Sequence, residues 1–237
     1  MNCFATRAEL KSRARQSLMG HYFSLSGAFL TIGLLQYLVS VPPSLMNVQP
    51  PFGMLLYYGA YFALELFYGI FQAGLAFLFL SNACGQPVSM NGIFSGFWNN
   101  PGRAAMVRFF PALLLLIPDI VPTICLTQFA DGHDQKWLWY GLLITLILLP
   151  YTFFVEILYS QAFYVMLDYP DMEASECLRY SRRLMKGNML RFLWLRLSFL
   201  PLVILGFLSC GIGLLFVYPY REQTYANFYL DLVAQQK

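Results

Sequence analysis

Two carboxylates stand inside long apolar runs. Glu65 interrupts the run from about Met54 to Leu80, and Glu156 lies in the inner half of the run from about Leu138 to Leu167. Both runs exceed the roughly 20 residues that cross a bilayer core. A carboxyl at such a depth has two chemistries open to it. It can relay protons or hold a cation along a pathway. Alternatively, desolvation raises its pKa, it stays neutral, and it hydrogen-bonds a neighbouring helix. Gln72, Gln161 and Tyr159 are the polar neighbours within sequence reach of the acids. Glu65, Glu156, Gln72 and Gln161 form the candidate intramembrane polar site. Two isolated acids fit helix cohesion more simply than a pathway.

Little else in the chain suggests a reaction. There is no G-x-S-x-G, no H-E-x-x-H, no phosphate loop and no Cys/His cluster. His21 and His133 flank different hydrophobic runs. His133 with Asp131 and Asp134 on a short polar loop reads as solvated surface, since the usual ligand sets are richer. Cys3, Cys84, Cys125, Cys177 and Cys210 lack metal-ligand spacing and a disulfide pattern, so they read as small apolar fillers. The expectation is a non-enzymatic protein without cofactor or metal.

The elements that position these residues follow from composition. The chain has 237 residues, 58% hydrophobic and 11% charged, against roughly 25% charged in soluble domains. This predicts a single all-α integral membrane domain, a polytopic helical bundle of five to six spans with amphipathic cytoplasmic helices. Residues 1–20 form a basic arm in which Thr6 and Glu9 make a capping-box pattern. The arm is expected to lie along the inner membrane surface. The spans fall at about 22–41, 54–80, 104–129, 138–167 and 190–209. Pro42 and Pro43 are expected to stop the first span. Pro111, Pro118 and Pro122 are expected to kink the third, because each leaves a carbonyl in need of another partner. Gly92 to Trp98 reads as an interfacial helical turn. After 209 two courses are open. Either Cys210–Gly213 is a turn and a sixth helix, about 214–232, folds back with its charges hidden in the bundle, or the fifth span exits and the tail lies flat. The turn is the favoured course.

Asp168 to Gly187 separates the fourth and fifth spans with four acids and four bases. It reads as an amphipathic helix, acids first and bases last, in accord with the helix dipole. Its basic side, Arg179, Arg182, Arg183 and Lys186, is the candidate cytoplasmic docking face for a protein partner or for anionic lipid. The arm, the loop before the third span and this segment with Arg191 and Arg196 carry twelve of the fifteen bases. Such clustering beside apolar runs reflects orientation, not nucleic-acid binding. It places the amino terminus in the cytoplasm of a multi-pass cell-membrane protein.

Several motifs then accumulate. Tyr159-Ser160-x-Ala162-x-Tyr164 leads to Pro170-Asp171, followed by Ser181-Arg182-x-Leu184-Met185-Lys186-Gly187 and Leu197-Ser198-Phe199. Gly211-Ile212-Gly213, Pro219-Tyr220 and Ala226-Asn227-Phe228-Tyr229 complete the series. Glu9-Leu10-Lys11-x-x-Ala14 and Phe94-Ser95-Gly96-Phe97 add to it. With these motifs the chain resembles a bacterial family of integral membrane proteins known only as a domain of unknown function. It departs from that pattern at Tyr151, where glycine is expected, and at Glu173, where Ser or Thr is expected. The resemblance implies a fold type and a membrane address, and no reaction. The favoured role is a non-enzymatic bundle acting through lipid or protein contacts; the alternative is a small transporter or channel using Glu65 and Glu156, and an enzyme, without a catalytic constellation, comes last.

Overall fold

The structure is a computed structural model that describes residues 4–44, 52–132 and 134–236. The described residues are helical, with no strand. In order, the helices are α1 (Arg7–Leu18), α2 (Tyr22–Ser44), α3 (Phe52–Ala83), α4 (Ser95–Trp98), α5 (Pro101–Gly132), α6 (Gln135–Tyr159), α7 (Ala162–Asp168), α8 (Ala174–Met185), α9 (Met189–Leu197), α10 (Leu200–Leu208) and α11 (Leu214–Ala234). A 3-10 turn, Met90–Phe94, precedes α4.

Four helical stretches among the described residues are long and apolar enough to cross a membrane. They are Phe52–Ala83, Pro101–Phe129, Gln135–Asp168 and Met189–Leu208. The bent pair α1–α2, turned through 97°, raises the count to five. The chain is thus an all-α transmembrane bundle at the lower end of the expected span number. The two longest outer helices, α5 and α6, pack on each other and expose Leu113, Ile117, Leu146 and Ile147. Such exposed apolar faces suit hydrocarbon.

The centre of the bundle is α11, which does not meet the composition of a spanning helix. Gln223 through Tyr229 are all buried in sequence, as a helix enclosed on every side requires. Three of its polar side chains, Gln223, Tyr229 and Asp231, find partners on other elements, whereas the buried Asn227 Nδ2 has none among the described residues. The Gln223 side chain accepts from Asn82 Nδ2 at 2.8 Å and donates to the Phe79 carbonyl at 3.2 Å. Tyr229 donates to Asp168 at 2.7 Å, and Asp231 pairs with Arg191. Around it pack the rings of Tyr164, Phe192 and Phe199, which meet its own Tyr229, Phe228 and Tyr225. The chain reaches α11 through a turn in which Cys210 and Gly211 have φ of 54° and 84°.

Three local expectations change. α2 continues through Pro42 and Pro43 to Ser44, because the fixed proline φ is itself helical and only a backbone donor is lost; residues 45–51 of the following loop lie outside the described residues. The arm does not rest its apolar side on lipid: Leu10, Ala14 and Leu18 are buried, and α1 packs on α11. The helical turn expected at Gly92–Trp98 is present but longer: it begins at Met90, as the turn Met90–Phe94 followed by α4, and it packs on α3. Gly74 and Gly96 permit this. A β-carbon at Gly74 would stand 1.8 Å from the Ile93 carbonyl oxygen, and one at Gly96 would stand 2.1 Å from that of Ile70.

Candidate functional site

α3 carries a polar stripe. Glu65, Tyr68, Gly69 and Gln72 fall at three- and four-residue spacing, so they share one face. That face meets α5 at Arg108. Arg108 Nε and Nη2 donate to Glu65 Oε2 at 3.0 and 2.5 Å. The approach depends on Gly69, whose missing β-carbon would sit 2.5 Å from Arg108 Cβ.

A second pair joins α6 to α9. Arg196 Nη2 donates to Glu156 Oε2 at 2.8 Å. A third lies on α11, where Arg221 donates through Nε and Nη2 to Glu222 Oε1 at 3.1 and 2.8 Å. Arg221 also stands over the ring of Tyr218, 4.6 Å from its centroid.

These groups surround a cavity of about 360 Å³. Arg108, Arg196 and Arg221 line it, as do Glu156, Glu222 and Gln72, with Tyr68, Tyr159 and Tyr225 between them. Glu65 is not in the lining and reaches it only through Arg108. Gln161 is fully buried behind the wall. Its Nε2 donates to Ser160 Oγ at 2.9 Å and its Oε1 has no partner. Ser160, which does line the cavity, marks the irregular step between α6 and α7. Irregular backbone at membrane depth is tolerated where it is buried in protein or lines a polar cavity.

The sequence-predicted site is therefore brought together in part. Gln72 and Glu156 face one cavity, while Glu65 and Gln161 support it from behind. Neither acid is isolated, since each meets an arginine. Arg108 and Arg196 read in the sequence as orientation markers at span ends. The available signal was the placement of bases within neighbouring apolar runs, Arg108 in the third and Arg191 and Arg196 in the fifth. Pairing them required the fold, because neither partner is local to the other.

The candidate docking face is a separate region. Arg179, Arg182, Arg183 and Lys186 are exposed on α8. The apolar side of that helix, Cys177, Leu178, Leu184 and Met185, is buried against the bundle. Only the basic side is free. No cluster of three or more His, Cys, Asp or Glu that could hold a metal occurs among the described residues; His133 is not one of them.

A family model described as a protein of unknown function (DUF975) matches residues 1–236. The chain belongs to the DUF975 family. No curated protein and no solved structure matches it. Membership in DUF975 brings no biochemical role with it. What this DUF975 chain can do chemically rests on the cavity: guanidinium, carboxylate and amide groups gathered around one space, with room between them for a small polar molecule.

Proposed function

We propose that this is a cytoplasmic-membrane protein that binds a small charged solute in the interior cavity and lets it cross, as a transporter or channel without an enzymatic step. The cavity carries the reading. Burying an ion pair costs desolvation on both partners, and pairs that serve only cohesion have no need of a void between them. Among the described residues around this cavity no bare carboxylate is left for a cation, because guanidinium groups already meet Glu65, Glu156 and Glu222. Guanidinium offers five donors, and Arg196 uses only one nitrogen on its glutamate. The unused donors favour a solute with a carboxylate or phosphate end.

Orientation enters the same reading. The bases of α1, α8 and the start of α5 gather toward one end of the bundle. Arg103 bonds to the Tyr169 and Pro170 carbonyls ahead of α8, and the end of α11 meets both Ala5 and Tyr180. Lys136 starts α6 at the far end of that helix from Ser160. A cytoplasmic amino terminus agrees with this distribution.

The test is flux through sealed vesicles holding the purified full chain. Chloride, inorganic phosphate, glutamate, glycine and potassium are offered in turn. Uptake of a carboxylate- or phosphate-bearing solute is expected. It should be lost when Arg196→Gln and Glu156→Gln are combined, which removes both charges together. Absence of flux for every solute in the parent chain removes the transport reading.

The exposed basic side of α8 favours a second activity, contact with lipid or a protein at the cytoplasmic face. Charge reversal at Arg179, Arg182 and Arg183 should then change what co-purifies with the chain.

A further inference from the structure

A groove of about 680 Å³ runs between the first turns of α5 and α8, with Tyr159 standing between it and the interior cavity. Its floor is apolar: Met106 and Phe110 from α5, Tyr159 from α6 and Leu178 from α8. Met106 and Phe110 are 61% and 43% exposed, so the floor continues onto the lipid-facing surface of α5. Its rim is charged, with Arg103, Arg179 and Arg182 against Glu173 alone.

The three arginines are not equivalent. Arg103 bonds to the Tyr169 and Pro170 carbonyls at 2.6 and 2.7 Å, and its buried Nε has no partner. Arg182 lies 6.0 Å from the centroid of the Tyr159 ring. Neither Arg179 nor Arg182 forms an ion pair among the described residues. Both lie on the side of α8 that the bundle leaves uncovered.

The geometry points to a binding site for one anionic phospholipid. An acyl chain lies along Met106 and Phe110, and the phosphate sits between Arg179 and Arg182. Three observations select this occupant. An apolar trough open to the hydrocarbon side takes a chain that is already in the membrane. The excess of guanidinium at one end of the trough matches a phosphate, which arginine binds through paired donors. The depth also agrees, because α8 lies where the charged part of the chain meets the apolar helices. A free anion has no use for the apolar floor, and a zwitterionic headgroup brings, beside its phosphate, a cation that the unpaired arginines repel. The two arginines that hold the phosphate are not among the cavity's lining residues, so loss of lipid preference and loss of solute passage are separable.

Native mass spectrometry of the detergent-purified full chain tests it. The probes are phosphatidylglycerol, phosphatidylcholine with the same acyl chains, and inorganic phosphate. One phosphatidylglycerol is expected to bind at least tenfold more tightly than phosphatidylcholine. The combined Arg179→Gln and Arg182→Gln variant should lose that preference, and inorganic phosphate should not compete at matched concentration. Both arginines are exposed, and an unchanged elution profile verifies that the variant is folded. Met106→Ala, which removes apolar floor on the opposite helix and leaves the arginines in place, should also weaken phosphatidylglycerol binding. Equal binding of the two lipids, an unchanged preference in the double arginine variant, or displacement by free phosphate would overturn the assignment.

Discussion

Arg108 directs two nitrogens at one oxygen of Glu65, across the contact between α5 and α3. The side chains keep 21% and 16% of their exposure, so the pair is largely removed from solvent. Removing one partner leaves the other charge uncompensated, which costs more than losing the pair as a whole. Glu65→Gln is therefore expected to destabilise the bundle by about 3 kcal/mol. Replacing both, Glu65→Leu with Arg108→Met, should recover most of that loss. Unfolding in mixed micelles, followed by circular dichroism, compares the two. A double variant no better than the single would show that the pair itself carries the contact.

The glycines of α3 divide into two kinds. A β-carbon at Gly69 or Gly74 meets Arg108 Cβ or the Ile93 backbone at clashing distance, while one at Gly59 meets nothing within 4 Å. Gly69→Ala and Gly74→Ala should lower the unfolding midpoint, because neither neighbour is the free end of a flexible side chain. Gly59→Ala should leave it unchanged or raise it slightly, since alanine is favoured over glycine within a helix by about 1 kcal/mol. Thermal unfolding of the three variants in one detergent reads the contrast.

Tyr151 Oη donates to the Leu114 carbonyl at 3.2 Å. That carbonyl lies four residues before Pro118, whose missing N–H leaves it without its helical donor. α5 runs unbroken through its three prolines, and a side chain from α6 supplies one of the missing bonds. Tyr151→Phe is expected to cost about 1 kcal/mol. In a Pro118→Ala background the carbonyl regains its helical donor, and the same substitution should cost less. A double-mutant cycle measures the difference; equal costs in both backgrounds would separate the tyrosine from the proline.

Thr6 caps α1 and Glu9 answers it, with Glu9 Oε2 accepting from the Thr6 backbone N–H at 2.6 Å. The Thr6 backbone N–H and then its hydroxyl hold the Glu9 carboxyl below the ordinary carboxylate value. The folded arm thus binds fewer protons than the unfolded one near the carboxylate range. The contribution is fully present above the unfolded pKa and is lost as pH falls through the lower folded value. Proteolysis of the arm in purified protein should accelerate as pH drops through that window. Glu9→Gln should reduce the acceleration, and a pH-independent rate in the parent would contradict the cap.

How much was visible in the residue order depends on the range of the interaction. The membrane class, the cap at Thr6 and the charge order of α8 are local or compositional, and they could be read directly. The ion pairs were not readable. Glu65 meets Arg108, and Glu156 meets Arg196, forty or more positions apart. Apolar runs give no register that would align them. The turn after residue 209 and a returning helix with its charges hidden in the bundle could be read from the run of residues, and α11 is that helix. Its partners could not be read: Asn82 meets Gln223 and Arg191 meets Asp231 only in the fold. Tyr151 showed only as a departure from the family pattern, and its role emerged with Leu114.

The central claim is that the interior cavity is a polar space that a charged solute can enter from water. Thiol labelling tests it most directly. In a chain whose own cysteines are replaced and which still elutes as a single species, Gln72→Cys is treated in sealed vesicles with a charged, membrane-impermeant thiol reagent. Leu78→Cys, on the same helix but in the packed core, serves as the buried control, and Ser175→Cys as the exposed one. The account predicts that Gln72→Cys is labelled from at least one side while Leu78→Cys is not. Gln72→Cys remaining as inert as Leu78→Cys from both sides, with Ser175→Cys fully labelled, would contradict it.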